Sequence, residues 1–209
     1  GMGLVNPVMP SIAEQLNATP SQVTLLYTSY NALMATAMLI TGAIATRVGH
    51  KWTMLSGVLL IATAALIAGL SNSVWTLTGL RGVWGLGNAL FIATALAAIV
   101  SLSRLGTAKA IILYETAVGL GISIGPLLGG TLGAISWRAP FLGVALLMVI
   151  AFAILLTLMP SIGAQKGQKQ RKGQAVSLAD PFRALKHRSL FVLSLVAALY
   201  NIGFFTIMA

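Results

Sequence analysis

Six segments of 19 to 29 residues contain at most one charged side chain each, and this feature limits what the chain can fold into. They are Val23–Ala45, Trp52–Leu70, Val74–Leu102, Ala110–Ala134, Ala139–Met159 and Ser189–Ala209. An α-helix needs roughly 20 apolar residues to cross a bilayer core about 30 Å thick. We therefore predict five complete membrane-spanning helices and a sixth that reaches the end of the chain.

The low charge of the chain agrees with helices that lie in lipid. Of 209 residues, 57% are hydrophobic and 8% are charged. A water-soluble domain is about 25% charged, so these residues could not cover a surface exposed to water. Gly3–Ile12 is also apolar but too short to cross a membrane, and we interpret it as the end of an earlier helix. We expect an all-α membrane protein whose chain is truncated at both ends.

The basic residues predict how the helices are oriented in the membrane. The formal net charge is +10, and most Lys and Arg residues follow the first, third and fifth segments. These loop residues are Arg47, Lys51, Arg104, Lys109, Lys166, Lys169, Arg171, Lys172, Arg183, Lys186 and Arg188. The opposite loops contain one cation, Arg138. Because Lys and Arg accumulate in cytoplasmic loops, we place the basic loops in the cytoplasm and expect no nucleic-acid partner.

This arrangement predicts three regions. Residues 1–160 form an amino-terminal transmembrane bundle, residues 161–188 a basic cytoplasmic linker, and residues 189–209 the truncated first helix of a carboxy-terminal bundle. The linker contains the string GAQKGQKQRKGQ, whose composition cannot build a packed interior. Its positive charge is suited to contact with anionic membrane lipids.

A glycine-rich string, GISIGPLLGG, lies in the fourth apolar segment. Glycines at every fourth position share one side of a helix, and they are Gly121, Gly125, Gly129 and Gly133. Small residues let two helices approach closely in lipid, where the hydrophobic effect does not press helices together. Pro126 lacks an N–H group and bends a helix. We predict a bent helix with a groove for a neighbour.

The complete pattern G-x-x-x-G-P-x-x-G-G resembles the antiporter motif of the major facilitator superfamily, in its drug:proton antiporter families. The pattern falls in the fifth crossing when the incomplete first helix is counted. Its residues are Gly121, Gly125, Pro126, Gly129 and Gly130.

Two more strings resemble motifs of the same superfamily. GAIATRVGHK, after the second crossing, is similar to the loop signature G-x-x-x-D-R-x-G-R-K, with matches at Gly42, Arg47, Gly49 and Lys51. Thr46 replaces the usual acid and His50 a usual arginine, so the charge network attributed to this loop needs a substitute, such as a hydroxyl contact or a helix N-terminus.

LTGLRGVWGLGNA resembles the fourth-crossing motif, which contains an arginine within the membrane. That arginine is Arg81 here, and Trp84 stands where the motif has a glutamine.

The resemblance implies the major facilitator fold, with a six-helix amino-terminal bundle whose first helix is incomplete, a cytoplasmic linker and a seventh helix. It implies proton-coupled export of drugs or other small amphipathic molecules by alternating access, across a plasma membrane such as the bacterial inner membrane. The partners would be a small-molecule substrate, protons and membrane lipids, and transport would need the missing carboxy-terminal half. A uniporter, an exporter of a sugar or amino acid, and a non-transporting truncated membrane protein are the alternatives.

Two ionisable residues fall within the apolar segments, Arg81 and Glu115. Such residues usually face a cavity or a partner, because charge is costly inside a bilayer. A carboxylate shielded from water can take up a proton near neutral pH, so Glu115 is a candidate to carry the coupling proton or to meet a cationic substrate. The alternative is a structural partner for a cation at the cytoplasmic edge, namely Arg47, Arg104 or Lys109. The motif implies that Arg81 relays protons or gates the cavity; otherwise it bonds to carbonyls at a helix end.

Aromatic, methionine and amide side chains recur at helical spacing on two segments. They are Tyr27, Tyr30, Asn31 and Met34 on one and Tyr200, Asn201 and Phe204 on the other. Aromatic and methionine surfaces suit bulky, often cationic ligands, so these residues are candidates for the substrate cavity. Ordinary packing between helices would also explain them.

The chain offers little for catalysis. It has no cysteine and three acidic residues, and it lacks the G-x-x-x-x-G-K-[ST] loop that cradles nucleotide phosphates. We expect no enzymatic activity, no cofactor and no metal site.

Overall fold

The computed structural model describes residues 5–103, 106–159 and 196. A short 3₁₀ turn, Asn6–Val8, precedes six α-helices in the first two ranges. These are α1 Met9–Gln15, α2 Pro20–Val48, α3 His50–Leu70, α4 Val74–Leu102, α5 Thr107–Ile135 and α6 Ala139–Leu158. Helices α2 to α6 are long and apolar enough to cross a membrane, so the five predicted spans are confirmed.

Other predictions fall on residues that are not described. The linker at 161–188 and, apart from position 196, the segment at 189–209 lie outside the described residues, as do Tyr200, Asn201 and Phe204. Arg104, one suggested partner of Glu115, also lies outside them.

The helix ends follow local sequence chemistry. Thr19 is the N-cap of α2: its Oγ1 accepts a hydrogen bond from the Gln22 amide at 3.3 Å, and Gln22 Oε1 accepts one from the Thr19 amide at 2.9 Å. Pro20 occupies the first turn, where its missing N–H costs nothing. At the other end of α2, one residue separates it from α3, and Gly49 there has φ 93°, which favours glycine. Local sequence chemistry therefore fixes the start of α2.

Helix α4 lies at the centre of the described bundle. Helices α2 and α3 both pack along it, and α6 packs along α3. Glycines allow these close approaches: a Cβ on Gly57 of α3 would lie 2.7 Å from the carbonyl oxygen of Gly87, and a Cβ on Gly85 would collide with the carbonyl oxygen of Tyr30. Backbones in contact maximise van der Waals packing where lipid supplies no hydrophobic driving force. These backbone contacts of α4 with α2 and α3 were not predicted from the sequence.

The glycine string of α5 has mixed surroundings. Helix α5 runs without interruption through Pro126, and Gly125 and Gly129 are buried. A Cβ on Gly133 would collide with the side chain of Val8, which belongs to the 3₁₀ turn that packs against α5. Gly121 and Gly130 face open space. Within the described residues, the predicted groove is therefore filled by the amino-terminal turn at Gly133, and no atom lies within 4 Å of a Cβ placed on Gly121.

Two cations connect α3 and α6 at opposite ends of this helix pair. Lys51 Nζ donates hydrogen bonds to the carbonyl oxygens of Leu156, at 2.9 Å, and Met159, at 2.6 Å. Arg138 donates to the carbonyl oxygen of Gly69 at 3.4 Å and to Asn72 Oδ1. The last carbonyls of a helix have no partner within it, and a cation there is favourable. Each helix thus begins with the cation that caps the end of the other. We call these the Lys51 end and the Arg138 end of the bundle.

Candidate functional site

Arg81 is a buried cation in the third turn of α4. Its side chain is 1% exposed, and none of its three guanidinium nitrogens has a hydrogen-bond partner in the described structure. The guanidinium carbon lies 4.8 Å from the ring centroid of Tyr30 on α2 and 5.3 Å from that of Trp84. Aromatic faces attract cations, and the attraction grows when water is excluded. Two aromatic rings, rather than carbonyls at a helix end, therefore contact the charge.

A row of aromatic rings continues from Trp84 toward the Arg138 end. The Trp84 and Phe141 rings meet edge to face, with centroids 6.1 Å apart and planes at 73°. The Phe141 and Trp137 rings do the same at 6.1 Å and 86°, and the Arg138 guanidinium lies 4.7 Å from the Trp137 centroid. We call Trp84, Phe141 and Trp137 the aromatic column. It joins one cation that is buried in the bundle to another at its end.

Three unpaired hydrogen-bond donors share one side of α4. Besides Arg81, the indole nitrogen of Trp84 and the amide nitrogen of Asn88 are buried without a partner among the described residues. Positions 81, 84 and 88 are three and four residues apart, so they stack along one helix face. Buried donors without an acceptor are costly, above all in a membrane-spanning helix. These donors can bind the oxygen of a carboxylate, a carbonyl group or a water molecule.

The residues predicted for the substrate cavity on α2 have different surroundings. Tyr30 is 2% exposed and contacts Arg81, whereas Tyr27 and Met34 are half-buried against the same apolar cluster. Asn31 Nδ2 donates a hydrogen bond to the carbonyl oxygen of Tyr27 at 2.9 Å. In this conformation Tyr27, Asn31 and Met34 are partly accessible to a ligand and Tyr30 is not.

Glu115 lies apart from the Arg81 site. Its side chain is exposed on α5, and Arg81 makes no hydrogen bond to it. The neighbouring Tyr114 lines an apolar cavity of about 550 Å³ at the Lys51 end, between α3, α4, α5 and α6. Among the described residues no charged side chain lines this cavity; Met54, Phe91, Ala95 and Leu155 are among its walls. The structure thus separates the two ionisable residues that the sequence analysis selected.

Comparison with known proteins assigns the family. The sequence model described as Major Facilitator Superfamily matches residues 1–209, which is the entire chain. The chain belongs to the major facilitator superfamily. It is a multi-pass membrane protein, and its described helices form part of the amino-terminal bundle of that fold.

The curated relatives of this superfamily member include proteins of resistance and efflux. The chain is 49% identical over 209 residues to "Multidrug efflux protein YfmO" of Bacillus subtilis, covering 100% of the chain and 51% of that protein. It is 28% identical over 155 residues to "Lincomycin resistance protein" of Streptomyces lincolnensis, covering 73% of the chain and 32% of that protein.

A third relative comes from an archaeon. The chain is 25% identical over 216 residues to "Uncharacterized MFS-type transporter MJ1560" of Methanocaldococcus jannaschii, covering 100% of the chain and 55% of that protein. The chain therefore spans about half the length of the Bacillus subtilis and Methanocaldococcus jannaschii relatives.

The superfamily loop signature is held in an unexpected way. Gly42 and Arg47 are exposed, and Gly49 makes the turn between α2 and α3. Thr46 Oγ1 donates its hydrogen bond to the carbonyl oxygen of Ala43 in its own helix, at 2.9 Å, so the hydroxyl does not reach a neighbouring helix. The contact from this signature to another described helix is made by Lys51, which caps α6. Of the two suggested substitutes for the missing acid, a hydroxyl contact from Thr46 to another helix is therefore not formed in this conformation.

Arg81 was a candidate from the sequence, but its contacts with the rings of Tyr30 and Trp84 were not predicted. The departure from the superfamily pattern at Trp84 was the available signal, because an indole in place of an amide changes what can contact the arginine. Phe141 and Asn88 carried no comparable sequence signal.

Proposed function

We propose that this chain is part of a secondary active transporter that exports drugs or similar amphipathic molecules in exchange for protons. The observation that carries the proposal is Arg81, a cation in a membrane-spanning helix whose hydrogen-bonding groups are all unused. Ionisable residues within membrane spans are rare and usually serve transport or a partner. The name of the Bacillus subtilis relative, "Multidrug efflux protein YfmO", and its 49% identity support export of drugs.

In the proposed mechanism, substrate binds between two helical bundles that rock to expose it to either side of the membrane. Tyr27, Asn31 and Met34 contribute to one wall of this cavity, together with Tyr200, Asn201 and Phe204. Glu115 takes up the coupling proton, and Arg81 changes partners as the cavity opens. The unpaired donors of Arg81, Trp84 and Asn88 then form hydrogen bonds with an acceptor that they lack in the described structure.

The orientation follows from the charges. The Lys51 end, with Arg47 and Lys109, faces the cytoplasm, and the Arg138 end faces the outside. The linker at 161–188 is cytoplasmic and contacts anionic lipids, and the protein resides in the plasma membrane. The antiporter motif on α5, from Gly121 to Gly130, meets the remaining bundle, which is required for transport.

Transport by the full-length protein tests this proposal. We expect everted membrane vesicles to accumulate ethidium when respiration acidifies their lumen, and a protonophore to abolish this accumulation. Arg81→Met and Glu115→Gln should each reduce the proton-driven rate by about tenfold or more, the scale of losing 1.4 kcal/mol or more from the rate-limiting barrier. Lys109→Gln, at an exposed cation on the same helix as Glu115, is the matched control and should retain activity.

The alternatives give different outcomes. Substrate movement that ignores the protonophore would indicate a uniporter, and no movement of any tested substrate would indicate a non-transporting protein. Full activity of Arg81→Met with unchanged pH dependence would remove Arg81 from the mechanism.

A further inference from the structure

Arg81 has an unusual anchorage for a buried arginine. Guanidinium groups are normally oriented by hydrogen bonds to carboxylates or carbonyls, which fix the planar fork. Here all three nitrogens lack such a bond among the described residues, and the charge instead contacts the ring faces of Tyr30 and Trp84. The orientation of Arg81 therefore depends on where these two rings lie.

The two rings differ in how they are held. Tyr30 belongs to α2, whose backbone touches α4 at Gly85. Trp84 belongs to α4 itself, is 0% exposed, and meets Phe141 of α6 edge to face. Phe141 is 1% exposed and meets Trp137 in turn, so the three rings are packed in contact with one another inside the bundle.

The far end of the column is fixed to α3. The guanidinium of Arg138 lies over Trp137 and donates a hydrogen bond to the carbonyl oxygen of Gly69 in the last turn of α3. A displacement between α3 and α6 at this end therefore moves Trp137, and the contacts continue through Phe141 and Trp84 to Arg81. The column is a contiguous packed path from the end of the bundle to the buried charge.

We propose that Trp84 is a positioning residue. It holds the Arg81 guanidinium in the orientation described here and links that orientation to the Arg138 end through the aromatic column. A glutamine at this position offers the arginine an amide oxygen as a hydrogen-bond acceptor, but it removes the ring that joins Arg81 to Phe141 and leaves Phe141 in contact with Trp137. The consequence for transport rests on the proposed function of Arg81, whereas the mechanical link between Trp84 and Arg81 does not.

The link itself is tested by tryptophan fluorescence of the full-length protein. In a background in which every tryptophan except Trp84 is replaced by phenylalanine, the Trp84 emission reports its surroundings. We expect Arg81→Met, and separately Phe141→Leu, to shift the Trp84 emission maximum and its quenching by acrylamide. An emission unchanged by both substitutions would overturn the link, whatever the protein transports.

The functional consequence is tested by the pH profile of transport in proteoliposomes. Trp84→Leu should displace the pH of half-maximal rate by up to about 1.5 units, the scale of losing one cation–π contact of about 2 kcal/mol at a site without water, and in the same direction as Arg81→Lys. Phe141→Leu acts through the Trp84 ring and should shift the midpoint in the same direction by a smaller amount. The double variant should shift the midpoint no further than the larger single shift, because both substitutions break one path. Trp84→Phe keeps a ring and should restore the wild-type midpoint.

Trp75→Leu is the matched control, since Trp75 lies on the same helix and is 64% exposed. It should leave the midpoint unchanged. Wild-type midpoints in Trp84→Leu and Phe141→Leu, when Arg81→Lys is shifted, would refute the positioning role and leave the proposed function intact. Wild-type midpoints in all variants, including Arg81→Lys, would instead remove Arg81 from the proposed mechanism, and the fluorescence result would still decide the link.

Discussion

Substituting Gly85 by alanine should separate α2 from α4 and destabilise the bundle. The added Cβ would collide with the carbonyl oxygen of Tyr30 and lie 3.1 Å from its carbonyl carbon and 3.3 Å from the Met34 amide nitrogen. All three neighbours are backbone atoms, which cannot rotate away as a side chain could. The helix axes must therefore move, and the Tyr30 ring moves with them.

The magnitude follows from the cost of overpacking. Forcing an extra methyl group into a packed interior costs about 1–3 kcal/mol. A change of 1 kcal/mol shifts the melting temperature of a 150–250-residue domain by about 2–4 °C, so we expect a decrease of about 2–12 °C. The melting temperature is measured by heating the protein in detergent and quantifying the folded fraction by size-exclusion chromatography with tryptophan-fluorescence detection.

Gly79→Ala provides the matched control for this experiment. Gly79 lies on the same helix, and a Cβ there would have no atom within 4 Å. Alanine favours the helix by up to about 1 kcal/mol over glycine, so this variant should melt at or slightly above the wild-type temperature. If Gly85→Ala melted together with Gly79→Ala, the backbone contact between α2 and α4 would not exist as described.

Three further predictions concern the ends and contacts of the helices. Lys51→Met should accelerate amide hydrogen exchange in the last turn of α6 by about twofold to fivefold, because the cation contributes about 0.3–1 kcal/mol there, while Lys109→Met should not. Equal exchange in the two variants would show that Lys51 does not cap α6. Thr19→Ala should cost about 1 kcal/mol through loss of the N-cap and lower the melting temperature by about 2–4 °C; Thr19→Ser should recover most of it. A neutral Thr19→Ala would mean that the cap adds nothing to stability. Gly57→Ala should destabilise as Gly85→Ala does, since its Cβ would lie 2.7 Å from the Gly87 carbonyl oxygen; a melting temperature equal to wild type would contradict the contact between α3 and α4.

Predictions that depended on chain-local properties agree with the structure. The segment Val74–Leu102 coincides with α4, and Val23–Ala45 lies within α2, which extends three residues further at each end. The N-cap at Thr19 and the proline at position 20 are likewise local features, and they begin α2. Backbone groups in lipid must pair within the helix, so an uncharged apolar run of sufficient length has little alternative to a spanning helix.

Predictions that depended on which side of each helix faces its neighbour were incomplete. Arg81 was recognised as a candidate, but its contacts with Tyr30 and Trp84 require α2 and α4 to present particular faces to each other. The contacts of Gly85, and of Lys51 with the end of α6, have the same origin. A helix that is apolar on all sides gives almost no signal for which side faces a neighbour, unlike an amphipathic helix in water.

The sequence alone determined how many apolar helices the described part of this protein contains, roughly where they begin and end, and that Arg81 and Glu115 are the charged residues within the apolar segments. Only the tertiary structure decided that two rings contact the guanidinium of Arg81, and that Arg138 and Lys51 cap neighbouring helices. Helix formation in lipid is set by composition over about 20 consecutive residues, whereas these contacts join residues up to 108 positions apart and depend on how the surfaces fit.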